Sequence, residues 1–276
     1  MIELFSYSFV QLALIAALIL AGIHSYLGFH VVSRGVIFVD ISLAQAAAFG
    51  AVVAVYLGFD PHSLLAYLIS LTSTMLGAAI ISVSRTKDDR IPQEAFIGVV
   101  YAGFTTFTIL LLSGRPEGMD ELEHMLAGSL LTIQVNDLVV TAILYGLIGA
   151  FHWFFRQRFF TLSENRQYAI EHGWSVRLWD FLFYAMFGLV VTSSVHIAGV
   201  LLVFSLLVIP PVIALLYTRR KGWRLFWGWT IAFLGSLLGI MVSIGFNLPA
   251  GPSIIAVLVV MLVLSALIRP LVKSAN

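Results

Sequence analysis

Along this chain the polar positions are islands between long apolar runs. An apolar run of about 20 residues with few charges is long enough to cross a bilayer as a helix. Nine such runs stand out, at about 7–28, 37–58, 62–83, 93–113, 136–155, 178–195, 197–217, 225–246 and 252–268. The pattern predicts an all-α integral membrane protein, a polytopic bundle of about nine transmembrane helices. Some of those helices are interrupted, and a short cytoplasmic helix is added. The first run lacks the basic start and small-residue cleavage site of a signal peptide, so it reads as a retained span.

The islands alternate in charge. Arg34 lies in the first, Arg85, Lys87 and Arg90 in the third, and Arg156, Arg158, Arg166 and Arg177 in or beside the fifth. Arg219, Arg220, Lys221 and Arg224 fill the seventh, and Arg269 and Lys273 follow the last span. The intervening islands are almost free of basic residues apart from Arg115, and one carries Glu117, Asp120, Glu121 and Glu123. Basic loops stay in the cytoplasm. Nine crossings then put the N-terminus outside and the C-terminus inside.

Composition agrees with the pattern. The chain is 60% hydrophobic and 11% charged, whereas a soluble domain is about half apolar and about a quarter charged. No separate soluble domain fits, and residues 1–276 read as a single transmembrane domain. The net charge of +1 implies no basic surface for nucleic acid. The absence of cysteine excludes disulfides and thiolate metal sites.

Several stretches carry more than lipid contact. Residues 31–50, VVSRGVIFVDISLAQAAAFG, place an acid and an amide inside an apolar run rich in alanine. Small residues admit a neighbouring helix, and an intramembrane carboxylate marks a pathway. Asp40 and Gln45 are offset by roughly 140° on an ideal helix, so they need not share a face. Pro210 and Pro211 predict a break in the seventh span. Pro249, Gly251 and Pro252 in NLPAGPS predict either irregular backbone lining a path or a simple outer turn with Pro252 starting the next helix. Residues 121–135 suit an interfacial or partly inserted helix on the outer side. Within 157–177, Ser163 is placed to cap a helix through Tyr168 and Ala169 that Gly173 ends. That helix is either a docking element or one resting on the membrane.

Catalytic patterns are missing. There is no phosphate-binding loop of the GxxxxGK[ST] type and no HExxH. The histidines at 24, 30, 62, 124, 152, 172 and 196 are scattered, mostly near span ends where solvated or interfacial positions are expected. His196, beside Ser193 and Ser194 at an outer span end, is the one placed to meet a cation. Glu94 reads as an acid at a helix N-terminus, favoured by the dipole.

Read together, these stretches resemble one family, the membrane permeases of bacterial ABC importers for zinc, manganese and iron. GFHVVSRGVIFVDISLAQAAAFG resembles its first signature, QEAFIGVVYA the start of its fourth span, and LAGSLLTI its outer helix. NRQYAIEHG resembles its cytoplasmic coupling helix, and AGVLLVFSLLVIPPVIA and NLPAGPSII its final signatures. The resemblance runs from about residue 28 to 257 and implies a permease subunit in the bacterial plasma (inner) membrane. It implies a separate cytoplasmic ATPase carrying ATP and Mg, an extracytoplasmic metal-binding protein, and a second copy of the chain. No cofactor is expected on the chain itself. Asn165, Ala169, Glu171 and Gly173 fall on the coupling positions, and Asp40, Gln45, Asn247 and His196 become pathway candidates.

This sequence departs from the family at the ligands. The family acid of the first signature falls on Ile41, with Asp40 one place earlier, and its histidine falls on Gln45. Asn247 and Asn165 stand where acids are usual. Glutamine and asparagine are poor zinc ligands. Asp40 then either lies on the path, through a rotated or rewound helix, or pairs with a group such as Arg34. A metal chelate or another small solute remains an alternative cargo. A secondary transporter would need more intramembrane acids, and an intramembrane enzyme a facing nucleophile and base.

Overall fold

Apolar runs this long become helices because lipid offers the backbone no hydrogen-bond partners. The structure, a computed structural model, describes residues 7–61, 63–84, 92–113, 130–218 and 220–274. Among the described residues nine helices are long and apolar enough to span a membrane. They are α1 (Ser8–Arg34), α2 (Val39–Tyr56), α3 (Leu64–Val83), α4 (Gln93–Leu112) and α5 (Val135–Phe154), then α8 (Val176–Ala198), α9 (Val200–Tyr217), α10 (Lys221–Phe246) and α11 (Ala250–Ser274). Two short helices, α6 (Arg156–Glu164) and α7 (Arg166–Glu171), lie between α5 and α8. The outer helix predicted at 121–135 falls mostly outside the described residues; its end is a single 3-10 turn, Leu130–Thr132.

The chain forms two compact units interleaved in sequence. One comprises Ser33–Met125 and Ala150–Val195, the other Met1–Val32, Leu126–Gly149 and His196–Asn276. In the first unit, α2 packs on α3 and α4. The small residues of α2 make this contact close. A Cβ on Gly50 would lie 2.6 Å from the Ser70 Cα, and one on Gly77 3.2 Å from the Ala46 Cβ. Ser70 also donates its hydroxyl to the Ala47 carbonyl at 2.8 Å. One turn along α3 from Ser70, the Thr74 and Thr192 hydroxyls meet at 3.0 Å, joining it to α8.

In the second unit α9, α10 and α11 pack together. Gly235 and Gly239, spaced as in a GxxxG face, lie under Leu258 and Ile254 of α11, and a Cβ on Gly239 would be 2.4 Å from the Ile254 Cα. The turn between α10 and α11 is short. Asn247 adopts the left-handed conformation (φ 54°), and Ser243 receives the Leu248 N–H on its carbonyl and donates its hydroxyl to the Leu248 carbonyl at 2.6 Å. Irregular backbone is therefore confined to Asn247–Pro249, and Gly251 and Pro252 already lie in the first turn of α11.

Three expectations need correction. Pro210 and Pro211 do not end a helix: α9 continues through both. Pro211 leaves the Leu207 carbonyl without its helical donor, and α1 lies against that carbonyl. A Cβ on Gly28 would be 1.9 Å from the oxygen. The span does break at Gly199 (φ 75°, ψ 158°), the single residue between α8 and α9, in a region essentially reserved for glycine. The histidines near span ends are not all solvated: His24, His30 and His152 are fully buried. α1 runs on to Arg34, which makes His24 and His30 interior positions. Phe159 of α6 stacks over His152 at 4.1 Å. Finally, the cap of α7, the short helix expected to be cytoplasmic, is Asn165, whose Oδ1 accepts from the Tyr168 N–H at 3.1 Å. Ser163 belongs to the end of α6 and donates to the Phe159 carbonyl.

Candidate functional site

The candidate path begins at the turn between α1 and α2. Gly35 reverses the chain with positive φ, and the Glu94 carboxylate at the start of α4 accepts the Ile37 N–H. Glu94 thus holds this turn as well as sitting in its own helix's first turn. Asp40 follows in the first turn of α2 and is 0% exposed. Neither carboxylate oxygen has a hydrogen-bond partner among the described residues, and the same holds for the buried Ser42 hydroxyl. The partial positive charge of the helix N-terminus favours an anion there, but Phe38 caps the helix without a side-chain bond.

α2 is a regular α-helix from Val39 to Tyr56. Asp40 therefore points about 100° away from Ile41. Gln45, buried at 8% exposure, is four residues after Ile41 and shares that face rather than Asp40's. Asn247 and His196 belong to the other compact unit, Asn247 as the left-handed cap of α10 and His196 in the last turn of α8. Among the described residues, no three histidine, aspartate or glutamate side chains gather as a metal centre.

The pairing of Asp40 with Arg34 is not what the structure shows. Arg34 reaches Asp180 instead, Nη1 to Oδ1 at 3.0 Å, with both side chains almost completely buried. Arg166 donates to the other oxygen, Oδ2, at 2.6 Å. Arg34 Nε also donates to the Ser163 hydroxyl at 2.9 Å, and its guanidinium lies 4.0 Å above the Phe183 ring. Asp180 was not singled out in the sequence. The available signal was an acid inside LWDFLFYAMF.

The short helices α6 and α7 are built locally. Asn165 caps α7, and Gly173 (φ 68°) follows it in the left-handed conformation, with Trp174 N–H returning to the Ala169 carbonyl at 3.0 Å. This is a Schellman-type ending that a β-branched residue resists. Ala169 is fully buried, and Tyr168, Ile170 and Glu171 are exposed. The Tyr168 ring stacks on His172 at 3.8 Å, and Gln167 bonds Glu171 at 3.0 Å. The guanidinium of Arg158 lies 4.1 Å over Trp174, fastening α6 to the end of α7. The helix thus presents a short mixed apolar and polar face.

Known proteins are similar to this chain in sequence and in fold. The family model described as "ABC 3 transport family" matches residues 6–269. The manganese transport system membrane protein MntC of Listeria innocua is 24% identical over 97% of this chain and 93% of its own length. The chelated iron transport system membrane protein YfeD of Yersinia pestis is 24% identical over 92% of this chain and 84% of its own. Among solved structures, PsaBC from Streptococcus pneumoniae in complex with Fab superposes with a TM-score of 0.81, at 24% identity and full coverage of both chains. With a match over nearly its whole length, the chain belongs to the ABC 3 transport family.

Proposed function

We propose that this chain is the permease subunit of an importer carrying a divalent first-row transition-metal ion across the bacterial plasma membrane. The family match and relatives named for manganese and chelated iron support it. The chain has no phosphate loop, so a separate ATPase, holding ATP and Mg, drives the cycle by moving α7. Two copies line the pathway, and an extracytoplasmic binding protein delivers the ion. The N-terminus lies outside and the C-terminus in the cytoplasm, as the basic loops require.

One observation carries the cargo assignment: Asp40, a fully buried carboxylate without a hydrogen-bond partner among the described residues. Such a group in a membrane interior is costly and marks an ion pathway. A carboxylate is a hard oxygen donor, which suits manganese better than zinc. Proteoliposomes holding the permease with its co-purified ATPase test this. ATP-dependent uptake of radiolabelled manganese or iron is expected. Uptake of none of manganese, iron or zinc, or uptake driven by a proton gradient without ATP, overturns it.

The lack of a clustered ligand set among the described residues favours one second reading, a metal chelate as cargo. The same vesicles separate the two. A chelate is carried faster than the free ion only if that reading holds.

A further inference from the structure

A single carboxylate ties the cytoplasmic helices to the turn that leads into α2. Asp180 offers one oxygen to Arg34, the last residue of α1, and the other to Arg166, the first residue of α7. We infer that Asp180 is a positioning residue which transmits movement of α7 through Arg34 to the α1–α2 turn, and so to Asp40. The inference rests on the proposed reading that α7 docks an ATPase.

The geometry leaves little slack along this route. Arg34 is held by Asp180, by the Ser163 hydroxyl of α6 and by the face of Phe183. Four residues separate it from α2. Their far end is held by the bond from Ile37 to Glu94. A turn so short, fixed near both ends, passes on a displacement instead of absorbing it.

The exposures of the three partners also fit a relay. The Arg34 and Asp180 side chains are 1% and 2% exposed, whereas that of Arg166 is 27% exposed. The buried pair is the fixed part. The half-open contact lies at the end that must move with α7. Because Asp180 keeps Arg34 when Arg166 is removed, the contact to α7 can be cut without leaving the carboxylate unpaired in the interior.

The test uses the full complex with its ATPase in proteoliposomes. The chain has no cysteine, so Phe38→Cys, at the exposed N-cap of α2, takes a single spin or fluorescent label. In the parent complex, trapping with ATP and vanadate is expected to change the label signal. In Arg166→Gln the ATPase still co-purifies, but the signal change is lost and uptake per ATP hydrolysed falls at least about fivefold. Arg166→Lys, which keeps the charge, restores both in large part.

An unchanged label response and full uptake in Arg166→Gln would overturn the relay. So would loss of the ATPase from that variant, since Arg166 would then serve docking. A parent complex that transports with no label response overturns it as well. A parent complex without any ATP-dependent uptake sinks the underlying functional reading instead, which keeps the two failures distinct.

Discussion

Asp180 and Asp40 are withdrawn from water to nearly the same degree, yet the chain treats them in opposite ways. Asp180, on α8, is held by two guanidiniums, and Arg34 also meets a hydroxyl and an aromatic ring. Asp40, on α2, has no hydrogen-bond or ion-pair partner among the described residues. A buried charge that serves structure is paired and hydrogen-bonded, because its desolvation has to be offset. One left without a protein partner in a transport protein is better explained by a partner that passes through. On the proposed reading the difference divides the two carboxylates into a mechanical role and a cargo role, and each role fails in its own way under mutation.

The largest expected effect is on the paired side. Among the described residues, Arg34→Gln leaves the buried Asp180 with only the partly exposed contact to Arg166, and breaking a buried pair costs about 3–5 kcal/mol. The variant should accumulate poorly and unfold at clearly lower temperature in detergent. Stability equal to the parent would show that the cluster is not the structural anchor assigned to it.

Ser163→Ala is milder. It removes the acceptor of Arg34 Nε and leaves a buried donor unmet, at a cost of about 1–3 kcal/mol. A thermal unfolding scan should place it between the parent and Arg34→Gln; a loss as large as that of Arg34→Gln would mean the hydroxyl, not the ion pair, dominates. Gly173→Val is milder still for the whole protein. Forcing a β-branched residue into the left-handed conformation costs roughly 1–2 kcal/mol locally, at the exposed end of α7. Insertion should stay normal while transport-linked ATP hydrolysis falls. Undisturbed coupling in a well-inserted variant would argue against docking through α7.

Hydropathy alone made the nine spans legible, because the requirement for internally bonded backbone leaves lipid-exposed sequence few options. The close approach of a helix to the alanines of α2 was legible for a similar reason, and so was the end of α7 at Gly173. What stayed hidden was long-range. Arg34 and Asp180 are 146 positions apart in sequence, and nothing local says that this arginine prefers that acid over Asp40, six residues away. The prolines of α9 misled for a related reason. A proline removes a donor locally, but whether the helix ends depends on what covers the freed carbonyl. Here that is α1 at Gly28, a contact no pattern within the seventh span reveals. Buried His152 belongs to the same class, since its cover, Phe159, comes from the next helix.

Gln45→His gives the finest adjustment on the unpaired side. It adds a nitrogen ligand on the Ile41 face of α2, roughly 140° around the helix from Asp40, and imidazole suits zinc. Uptake measured with competing manganese and zinc should tilt toward zinc, with total transport retained. An unchanged preference would place Gln45 off the path.

The most direct measurement compares Asp40→Asn with the parent for both folding and uptake. No partner among the described residues is lost in this substitution, so the melting temperature in detergent should equal or exceed that of the parent. ATP-dependent manganese or iron uptake in reconstituted complexes should fall at least about tenfold, a loss of about 1.4 kcal/mol or more in transport barrier. Full transport by a folded Asp40→Asn complex, or failure of that variant to fold, would contradict the assignment of Asp40 to the ion path.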